Sequence, residues 1–478
     1  MNKTKIILVI IVLFFGLFLR LYKITSPIAD WHSFRQVDTI SVTKIFSQNG
    51  FDFLHPRYFD VSSTQSGLDN PQGLRMVEVP IYNTISLFFH NIFHQNIEIS
   101  SRLVSIIFSL GSGLLIFLFV FKITSQFLPS LFSLFIFMVL PFNVYYSRTT
   151  LPEPTAVFFM MLSLYLFSKN IYFSAFALAL SILVKPYTAI ILLPTILFLN
   201  KKNYKLIFLG IISLLPFIFW RVWISQFPEG IPVSNWLLNN GNTTTFPAWF
   251  HGYNLSFLNK LVALRPHWWY WLFQDRLGNL ILGVYGIIPV FLGLVYRHKH
   301  TQPIAISLPI GIFLYFLIIA QGNIQHDYYQ VLIIPSLSIL SGLGYFYIYK
   351  IIFKNYFLKI SSILFIFILS TFLSYDEVKE YYKINNPQII TAGNKVNEIT
   401  PTNSIIVAPY NGDTALLYQT NRFGYPIQIY DFNSIKSQFP SRPIYFVSLN
   451  YDDYTNKVIK QFPTIYRDNQ YIILEISK

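Results

Sequence analysis

Long apolar runs separated by short polar segments occupy most of the chain up to about residue 375. A helix of about 20 apolar residues crosses a bilayer, so runs of this length predict transmembrane helices. We place about eleven spans, at 6–22, 102–121, 127–146, 154–168, 170–185, 186–200, 206–223, 277–296, 303–321, 329–349 and 360–375. The pattern predicts an all-α polytopic membrane protein.

Two segments decide how often the chain crosses. Residues 79–96 place their apolar side chains on one helical face, with polar residues between them, which favours a helix lying on the outer membrane surface. Residues 170–200 contain a single charge, Lys185, followed at once by Pro186. One long tilted helix is the alternative, but two short spans keep both Lys169 and "KKNYK" on the cytoplasmic side.

The basic residues between the spans indicate the orientation. With a cytoplasmic N-terminus, the cytoplasmic loops hold these clusters: Lys122, Lys169, Lys201 with Lys202 and Lys205, Arg297 with Lys299, and Lys350 with Lys354 and Lys359. This arrangement follows the positive-inside bias. It leaves outside the membrane two loops, 23–101 and 224–276, and a tail from about residue 376.

The tail contains three strand-like runs, "SIIVAP", "PIYFVSL" and "YIILEI", separated by polar segments. We expect a small extracytoplasmic α/β domain at 376–478, following a membrane module at 1–375.

Composition excludes several classes of protein. The net charge of +14 suggests nucleic acid as a partner, but the lysines cluster in short loops between apolar runs, where they serve orientation. The chain has no cysteine, so disulfides and thiolate chemistry are excluded. It also lacks a P-loop and a GxGxxG fingerprint, so nucleotide-dependent chemistry has no support, and it has no GxSxG nucleophile elbow.

In this topology the ionisable residues gather at the outer ends of the spans. They are Asp30, Asp38, Glu78, Arg148, Glu153, Lys185, Arg265, His267, His326 and Asp327. Charges near hydrocarbon are costly, so a group of them at one depth predicts a functional site. A transporter would place acids near the bilayer midplane. The distribution favours an active site at the outer face.

Four motifs carry these residues, and each has a structural alternative. The motifs are "YYSRTTLPEP", "LVKPYTA", "QHDYYQ" and "RPHWWYWLFQDR". The tyrosines and tryptophans are also typical of an interfacial aromatic belt, and the lysine is also typical of a side chain that reaches from a helix end to the membrane surface. The motifs therefore gain meaning from their order and their shared membrane side.

That order resembles the GT-C glycosyltransferases. The resemblance rests on the acid-bearing first loop, "VEVPIY", "SRLVSIIFSLGSGLLIF", "YYSRTTLPEP", "LVKPYTAIILLP" and "HDYYQVLIIPSLSILSGLG", and covers about residues 5–350. Dolichyl-phosphate-mannose protein mannosyltransferases and lipid A aminoarabinose transferases are the most similar members. The resemblance implies transfer of a sugar from a polyprenyl-phosphate carrier to a glycan, lipid or protein acceptor on the outer face.

The resemblance also implies a role for a first-loop acid, as the base that deprotonates the acceptor in an inverting displacement. Many relatives carry an adjacent Asp-Glu pair, which falls here on Arg35 and Gln36. We expect Asp30 to be the base and Asp38 to be the second candidate. The structural alternative for Asp38 is a helix N-cap before "TISVTKIF".

The remaining roles follow the same resemblance. Glu78 and the catalytic-site acid Glu153 would position the acceptor or a metal, and the cations Lys185, Arg148 and Arg265 would hold the donor phosphate. His32, His326 and Tyr329 would line the pocket. No cofactor is certain; a divalent metal stays open, although no HExxH-type spacing is present.

Two other functions remain as alternatives. A flippase or transporter of a polyprenyl-linked sugar would show many spans and basic residues as well. A scaffold whose tail binds polysaccharide is the third interpretation, for which so many spans are excessive. For the transferase we expect a bacterial inner membrane, an undecaprenyl-phosphate donor and no nucleic-acid partner; the sequence names neither sugar nor acceptor.

Overall fold

A computed structural model describes residues 2–199, 203–233, 266–296, 301–352 and 354–477. The chain forms two compact units that alternate along the sequence. The first comprises residues 1–24, 102–220 and 234–380, and the second comprises 25–101, 221–233 and 381–478. The first outer loop and the tail, although distant in sequence, therefore belong to one unit. The functional division into 1–375 and 376–478 stays a prediction.

The described residues form helices and strands in the following order along the chain. The α-helices are α1 (Lys3–Arg20), α2 (Ser33–Asn49), α3 (Ile81–Phe93), α4 (Ile97–Thr124), α5 (Phe127–Val139), α6 (Pro141–Tyr146), α7 (Glu153–Leu166), α8 (Ile171–Val184), α9 (Thr188–Leu199), α10 (Asn203–Ile224), α11 (Pro266–Trp271), α12 (Ile287–Val295), α13 (Gln302–Ile318), α14 (Ala320–Gln325), α15 (Ile334–Tyr347), α16 (Tyr356–Val378), α17 (Gln388–Ile399), α18 (Ala415–Thr420), α19 (Phe432–Gln438) and α20 (Asp453–Ile459). The strands are β1 (Ile405–Val407), β2 (Phe423–Tyr425), β3 (Ile444–Ser448), β4 (Thr464–Arg467) and β5 (Ile472–Ser477). A π-helix at Leu272–Ile281 follows α11, and a 3₁₀-helix at Asp327–Ile333 leads into α15.

Apolar helices of membrane-spanning composition build the first unit. Within the described residues, four helical stretches are long and apolar enough to cross a bilayer: Ile97–Thr124, Lys205–Ile224, Asp327–Lys350 and Tyr356–Tyr382. Shorter apolar helices accompany them at α5, α7, α8, α9 and α13. These helices support a multi-pass membrane protein, while the predicted number of spans and the orientation of the termini stay predictions.

The buried helix α15 organises the packing of this unit, lying against α5 and α12. Small residues allow the close approach: a Cβ on Gly344 would collide with the Pro289 carbonyl oxygen of α12. In the reverse direction, a Cβ on Gly293 would collide with the Leu340 carbonyl oxygen of α15. Such pairs of small residues are the usual basis of tight helix contacts in membranes.

Proline sets two helix boundaries. The predicted break in 170–200 is confirmed, since α8 ends at Val184 and α9 begins at Thr188, on either side of Pro186. The predicted span 127–146 also divides, because Pro141 follows Leu140 and disfavours helical backbone there. Both breaks interrupt the helical hydrogen bonding beside motifs that hold candidate site residues.

The segment 79–96 forms a helix as predicted, α3, of 13 residues. Its side chains Phe88, Ile92 and Phe93 are largely exposed. An exposed apolar face on an amphipathic helix fits a membrane surface. The location of α3 on the outer leaflet stays a prediction.

The tail forms a five-stranded sheet in the order β2-β1-β3-β5-β4. Strand β1 pairs in parallel with β2 and β3, whereas β5 is antiparallel to β3 and β4. The three runs chosen from the sequence are the strands β1, β3 and β5. Strands β2 and β4, at the two edges, are the ones that the sequence did not reveal.

Alternating residues of the sheet face two hydrophobic cores. Ile405, Val407 and Phe446 pack with α19 and α20, whereas Ile406 and Val447 pack with α17, α18 and residues of α2. The first outer loop also covers the sheet edge: the Val61 amide donates to the Gly424 carbonyl of β2 at 2.9 Å. These contacts explain why the first loop and the tail form one unit.

Candidate active site

In the first unit, a lysine and a glutamate form a buried ion pair. Lys185 Nζ lies 2.9 Å from Glu153 Oε1, and neither side chain is more than 5% exposed. Lys185 stands at the C-terminus of α8 in extended conformation, because Pro186 prevents the helix from continuing. Glu153 begins α7. The structure thus brings together two residues that the sequence assigned to separate roles.

Such a pair is weak evidence for a stabilising role, since desolvating both charges costs about as much as their attraction returns. Ionisable residues among membrane helices mark functional sites more often than structural ones. The hydroxyl of Thr188 donates to the Lys185 carbonyl at 2.8 Å, which fixes the backbone that presents the ammonium. The pair is therefore the core of a candidate site in this unit.

Aromatic rings adjoin the ion pair. Lys185 Nζ lies 5.6 Å from the centre of the Tyr329 ring, within reach of a cation–π interaction. The Tyr187 ring is 5.8 Å from the Tyr329 ring. The His326 ring stacks on Tyr328 at 5.2 Å, and the Tyr328 ring stacks on Tyr329 at 5.0 Å. His326 and Tyr329 thus lie in one stack beside Lys185, as the sequence grouped them.

An acid that the sequence placed in the outer-end cluster, but gave no role of its own, lies in the same segment. Asp327 is 1% exposed, and the Tyr146 hydroxyl donates a hydrogen bond to its Oδ1. Arg276 Nη1 lies 3.5 Å from Oδ2, and the guanidinium stands over the Trp271 ring at 4.8 Å. The available signal was the position of Asp327 within "QHDYYQ", between the two residues that were chosen.

Arg148 and Arg265 are the other two residues that the sequence predicts to bind the donor phosphate. Arg148 is buried, donates from Nη1 to the Lys23 carbonyl at 3.2 Å, and stands over the Tyr145 ring at 5.2 Å. These contacts anchor it beside the end of α1. Arg265 lies outside the described residues.

In the second unit, Asp30 lies just before α2. The Gln36 side-chain amide donates to Asp30 Oδ1 at 2.7 Å and to the Trp31 carbonyl at 3.0 Å. His32 precedes the helix with a positive φ of 54°, a left-handed conformation that turns the chain sharply into α2. This turn allows a residue of the first helical turns to reach back to Asp30.

Asp38 is not a helix N-cap; that alternative is wrong. Because α2 begins at Ser33, Asp38 lies inside the helix. Its Oδ2 forms a 2.9 Å ion pair with Arg75 and accepts from Gln65 at 3.1 Å. The Thr414 hydroxyl donates to its Oδ1 at 2.6 Å. Asp38 therefore ties α2 to the first loop and to the tail.

The two residues at the position of the relatives' acid pair each contact an acid. Arg35 forms an ion pair with Glu78, and Gln36 holds Asp30. Glu78 and Asp30, the two acids to which the sequence gave roles, are thus held by Arg35 and Gln36, which occupy the position of the relatives' Asp-Glu pair. His32 lies between rings, with Trp31 at 5.0 Å and Phe34 at 5.6 Å.

Two further buried acids of this unit titrate near neutrality. Burial raises the pKa of Asp60 to about 7, against the lowering effect of hydrogen bonds from Ser62. Burial also raises the pKa of Asp413 to about 6, with a smaller contribution from Asp38. Both lie where the first loop meets the tail, so their raised pKa values result from the packing of this unit. No local pattern in the sequence signals their burial.

The described acids do not form a metal site. Among the described residues, no three His, Asp or Glu side chains are grouped to hold a metal ion. Asp38, Glu78 and Glu153 are each engaged by a different cation, Arg75, Arg35 and Lys185. We assign no step of the reaction to a metal.

Comparisons with solved structures identify the fold. The structure matches ArnT from Cupriavidus metallidurans bound to undecaprenyl phosphate, with a TM-score of 0.61 and 11% identity over 99% of this chain and 98% of the other. It also matches the apo oligosaccharyltransferase of Archaeoglobus fulgidus, with a TM-score of 0.59 and 10% identity over 93% and 69%. The oligosaccharyltransferase AglB from that archaeon, in complex with an inhibitory peptide and a dolichol-phosphate, gives a TM-score of 0.58 at 10% identity over 93% and 69%.

No protein-family model and no curated protein matches the chain. Both matched proteins are GT-C membrane glycosyltransferases, so the chain has the GT-C fold and the resemblance inferred from the motifs is confirmed. At such low identity the similarity establishes the fold alone.

Proposed function

We propose that this GT-C-fold protein is a glycosyltransferase that takes a sugar from a polyprenyl-phosphate donor and passes it to an acceptor outside the membrane. The observation that carries the proposal is the match over nearly the whole of both chains to ArnT bound to undecaprenyl phosphate. We place the protein in a bacterial inner membrane, with a cytoplasmic N-terminus and the tail outside. Undecaprenyl phosphate is the expected carrier.

We assign the phosphate of the donor to Lys185. Its ammonium is held by a broken helix and neutralised by Glu153 at 2.9 Å. An incoming phosphate shares or replaces that carboxylate, and the cation then stabilises the charge that develops on the leaving phosphate. Glu153, His326 and Tyr329 keep their proposed places beside it.

We assign the role of general base to Asp30. The acceptor hydroxyl gives its proton to the carboxylate as its oxygen attacks the anomeric carbon, and the carbon–oxygen bond to the phosphate breaks. A single displacement of this kind inverts the anomeric centre. Gln36 supports the assignment because its side-chain amide orients the Asp30 carboxylate. Asp38, engaged by Arg75, is the weaker candidate.

The test is a transfer assay with purified full-length protein in nanodiscs. Undecaprenyl-phosphate hexose and pentose donors are supplied with an envelope extract as acceptor, and mass spectrometry follows the release of undecaprenyl phosphate. Release that depends on the extract supports the transferase. Movement of intact donor across the bilayer of liposomes, without release, would support the flippase instead.

A further inference from the structure

The tail contains a cavity that the proposed transfer reaction does not use. It encloses about 240 Å³. Its polar and aromatic lining includes Tyr410, Asn411, Gln428, Asn450, Asp452 and Tyr454. We call this cavity the tail pocket.

The topology of the sheet explains why a cavity opens here. From β1 the chain passes to β2 on one side, and it then crosses to β3 on the other side of β1. The segments that follow the two parallel strands β1 and β3 therefore diverge. A crevice at the carboxyl ends of strands, at such a switch point, is where open α/β sheets bind ligands.

The chemistry of the lining selects the ligand. Asn411, Gln428 and Asn450 supply three carboxamides and Asp452 supplies a carboxylate, while the described residues that line the pocket include no lysine or arginine. A carboxamide both donates and accepts hydrogen bonds, which matches a hydroxyl group that does the same. A carboxylate without a lining cation disfavours phosphate and other anions.

The loops around the tail pocket are held in place by hydrogen bonds. Asp452 Oδ1 accepts from the Thr455 amide at 2.8 Å, and the Thr455 hydroxyl donates to Ser448 at 2.9 Å. The Tyr454 hydroxyl accepts from the Ile429 amide at 2.8 Å. The three residues that supply the carboxamides stand exposed on this fixed frame. A preformed rim reduces the entropy lost on binding.

An exposed aromatic ring, outside the lining itself, contacts two of the lining residues. Tyr430 is 80% exposed, and its hydroxyl donates to Gln428 Oε1 at 2.9 Å. Its ring meets the Tyr454 ring edge-on at 5.4 Å. An aromatic face left in water offers a platform for the apolar C–H face of a sugar ring, while the neighbouring amide serves the hydroxyl edge.

We propose that the tail pocket binds a neutral saccharide of one or two sugar units, with Tyr430 stacking on a ring and the carboxamides bonding its hydroxyls. The cavity of about 240 Å³ is many times larger than the roughly 10–15 Å³ that one water molecule requires, so it has room for a small organic ligand. The site goes beyond the transfer reaction. It gives the tail a glycan-binding function that does not depend on Asp30 or Lys185.

The test is saturation-transfer NMR on the full-length protein in nanodiscs, because many detergents carry sugar headgroups that would compete. The probes are glucose, galactose, mannose and N-acetylglucosamine, with glucuronate as the anionic comparison. At least one neutral sugar should receive saturation, and glucuronate should receive less. Gln428→Ala and Tyr430→Ala should each weaken binding about tenfold, the loss expected for a hydrogen bond or a ring contact.

Asn433→Ala is the matched control, because Asn433 is exposed on α19 in the same domain and is not among the lining residues. It should leave the saturation unchanged. No transfer to any neutral probe, equal transfer in the Gln428 and Tyr430 variants, or preference for glucuronate would overturn the proposal. Release of undecaprenyl phosphate, measured on the same preparation, reports the transferase separately, so the two proposals fail independently.

Discussion

Asp30 and Asp38 lie on one short stretch of chain, yet their surroundings differ. Asp38 stands inside α2 with an arginine at 2.9 Å and hydrogen bonds from Gln65 and Thr414. Asp30 stands before the helix and accepts from the neutral amide of Gln36. Asp38 is tied into the packing of its unit through a cation, whereas Gln36 orients Asp30 through a neutral amide. We propose that these surroundings, rather than residue type, separate the roles of the two acids.

Among these variants, Asp30→Asn should cause the largest loss of activity. The amide has the same shape but cannot accept a proton, so turnover should fall by about 10²–10⁴-fold. Release of undecaprenyl phosphate measures this effect. The melting temperature and the binding of undecaprenyl phosphate should stay near those of the wild type. Turnover at the wild-type rate would show that Asp30 is not the general base.

Asp38→Asn should act on stability instead. Removing one partner of a buried ion pair leaves Arg75 uncompensated and costs about 3–5 kcal/mol. Thermal unfolding followed by intrinsic fluorescence should show a marked drop in melting temperature. The double variant Asp38→Asn/Arg75→Met is the control and should recover part of the loss. A variant that is fully stable but inactive would give Asp38 the catalytic role.

Asp60 extends the comparison to pH. Its pKa of about 7 in the folded protein lies above its ordinary value of 3.8, so the folded state holds this proton more tightly than the unfolded state. Stability should therefore fall as pH rises from about 4 to about 7 and level off above, by at most roughly 4 kcal/mol. Melting temperatures at pH 5 and pH 8 measure the slope. Asp60→Asn should reduce the slope to the part that Asp413 contributes, and an unchanged slope would contradict the assignment.

Lys185→Ala tests the corresponding pair of the first unit. A charged hydrogen bond to phosphate contributes about 1.5–3 kcal/mol, so affinity for undecaprenyl phosphate should fall about 10- to 100-fold. Because Glu153 would be left unpaired, Lys185→Ala/Glu153→Gln serves as the matched control for folding. Unchanged affinity in both variants would defeat the phosphate role of Lys185.

Gln36→Ala should cause the smallest loss of activity, and it tests whether Gln36 positions Asp30. Without the 2.7 Å hydrogen bond the Asp30 carboxylate is held less firmly in its orientation. We expect kcat to fall about tenfold while the KM for the donor is unchanged, as for a residue that positions the base. Steady-state kinetics separate the two constants. A change in KM alone would assign Gln36 to substrate binding instead.

Local signals made part of this structure predictable. Pro186 forecast the break between α8 and α9, because proline cannot continue a helix. Apolar runs forecast the strands β1, β3 and β5. The edge strands β2 and β4 escaped because neither lies in an apolar run: Phe423–Tyr425 contains Gly424, and most of Thr464–Arg467 is exposed.

The contacts that define the candidate site were not predictable in the same way. Lys185 meets Glu153, and Asp38 meets Thr414, across sequence separations that no local pattern encodes. The N-cap alternative for Asp38 was wrong because the apolar run after it resembles a helix start, whereas the left-handed turn at His32 starts the helix earlier. The order of the motifs was enough to predict the fold, whereas the contact partners of the site residues depend on tertiary packing.

The most direct measurement is a cryo-EM structure of the full-length protein in nanodiscs with undecaprenyl phosphate added. We predict phosphate density within hydrogen-bonding distance of Lys185 Nζ, with Glu153 displaced or sharing the ammonium. Phosphate bound elsewhere while the Lys185–Glu153 pair stays closed, or a continuous aqueous path across the helices, would contradict the assignment and favour a transporter.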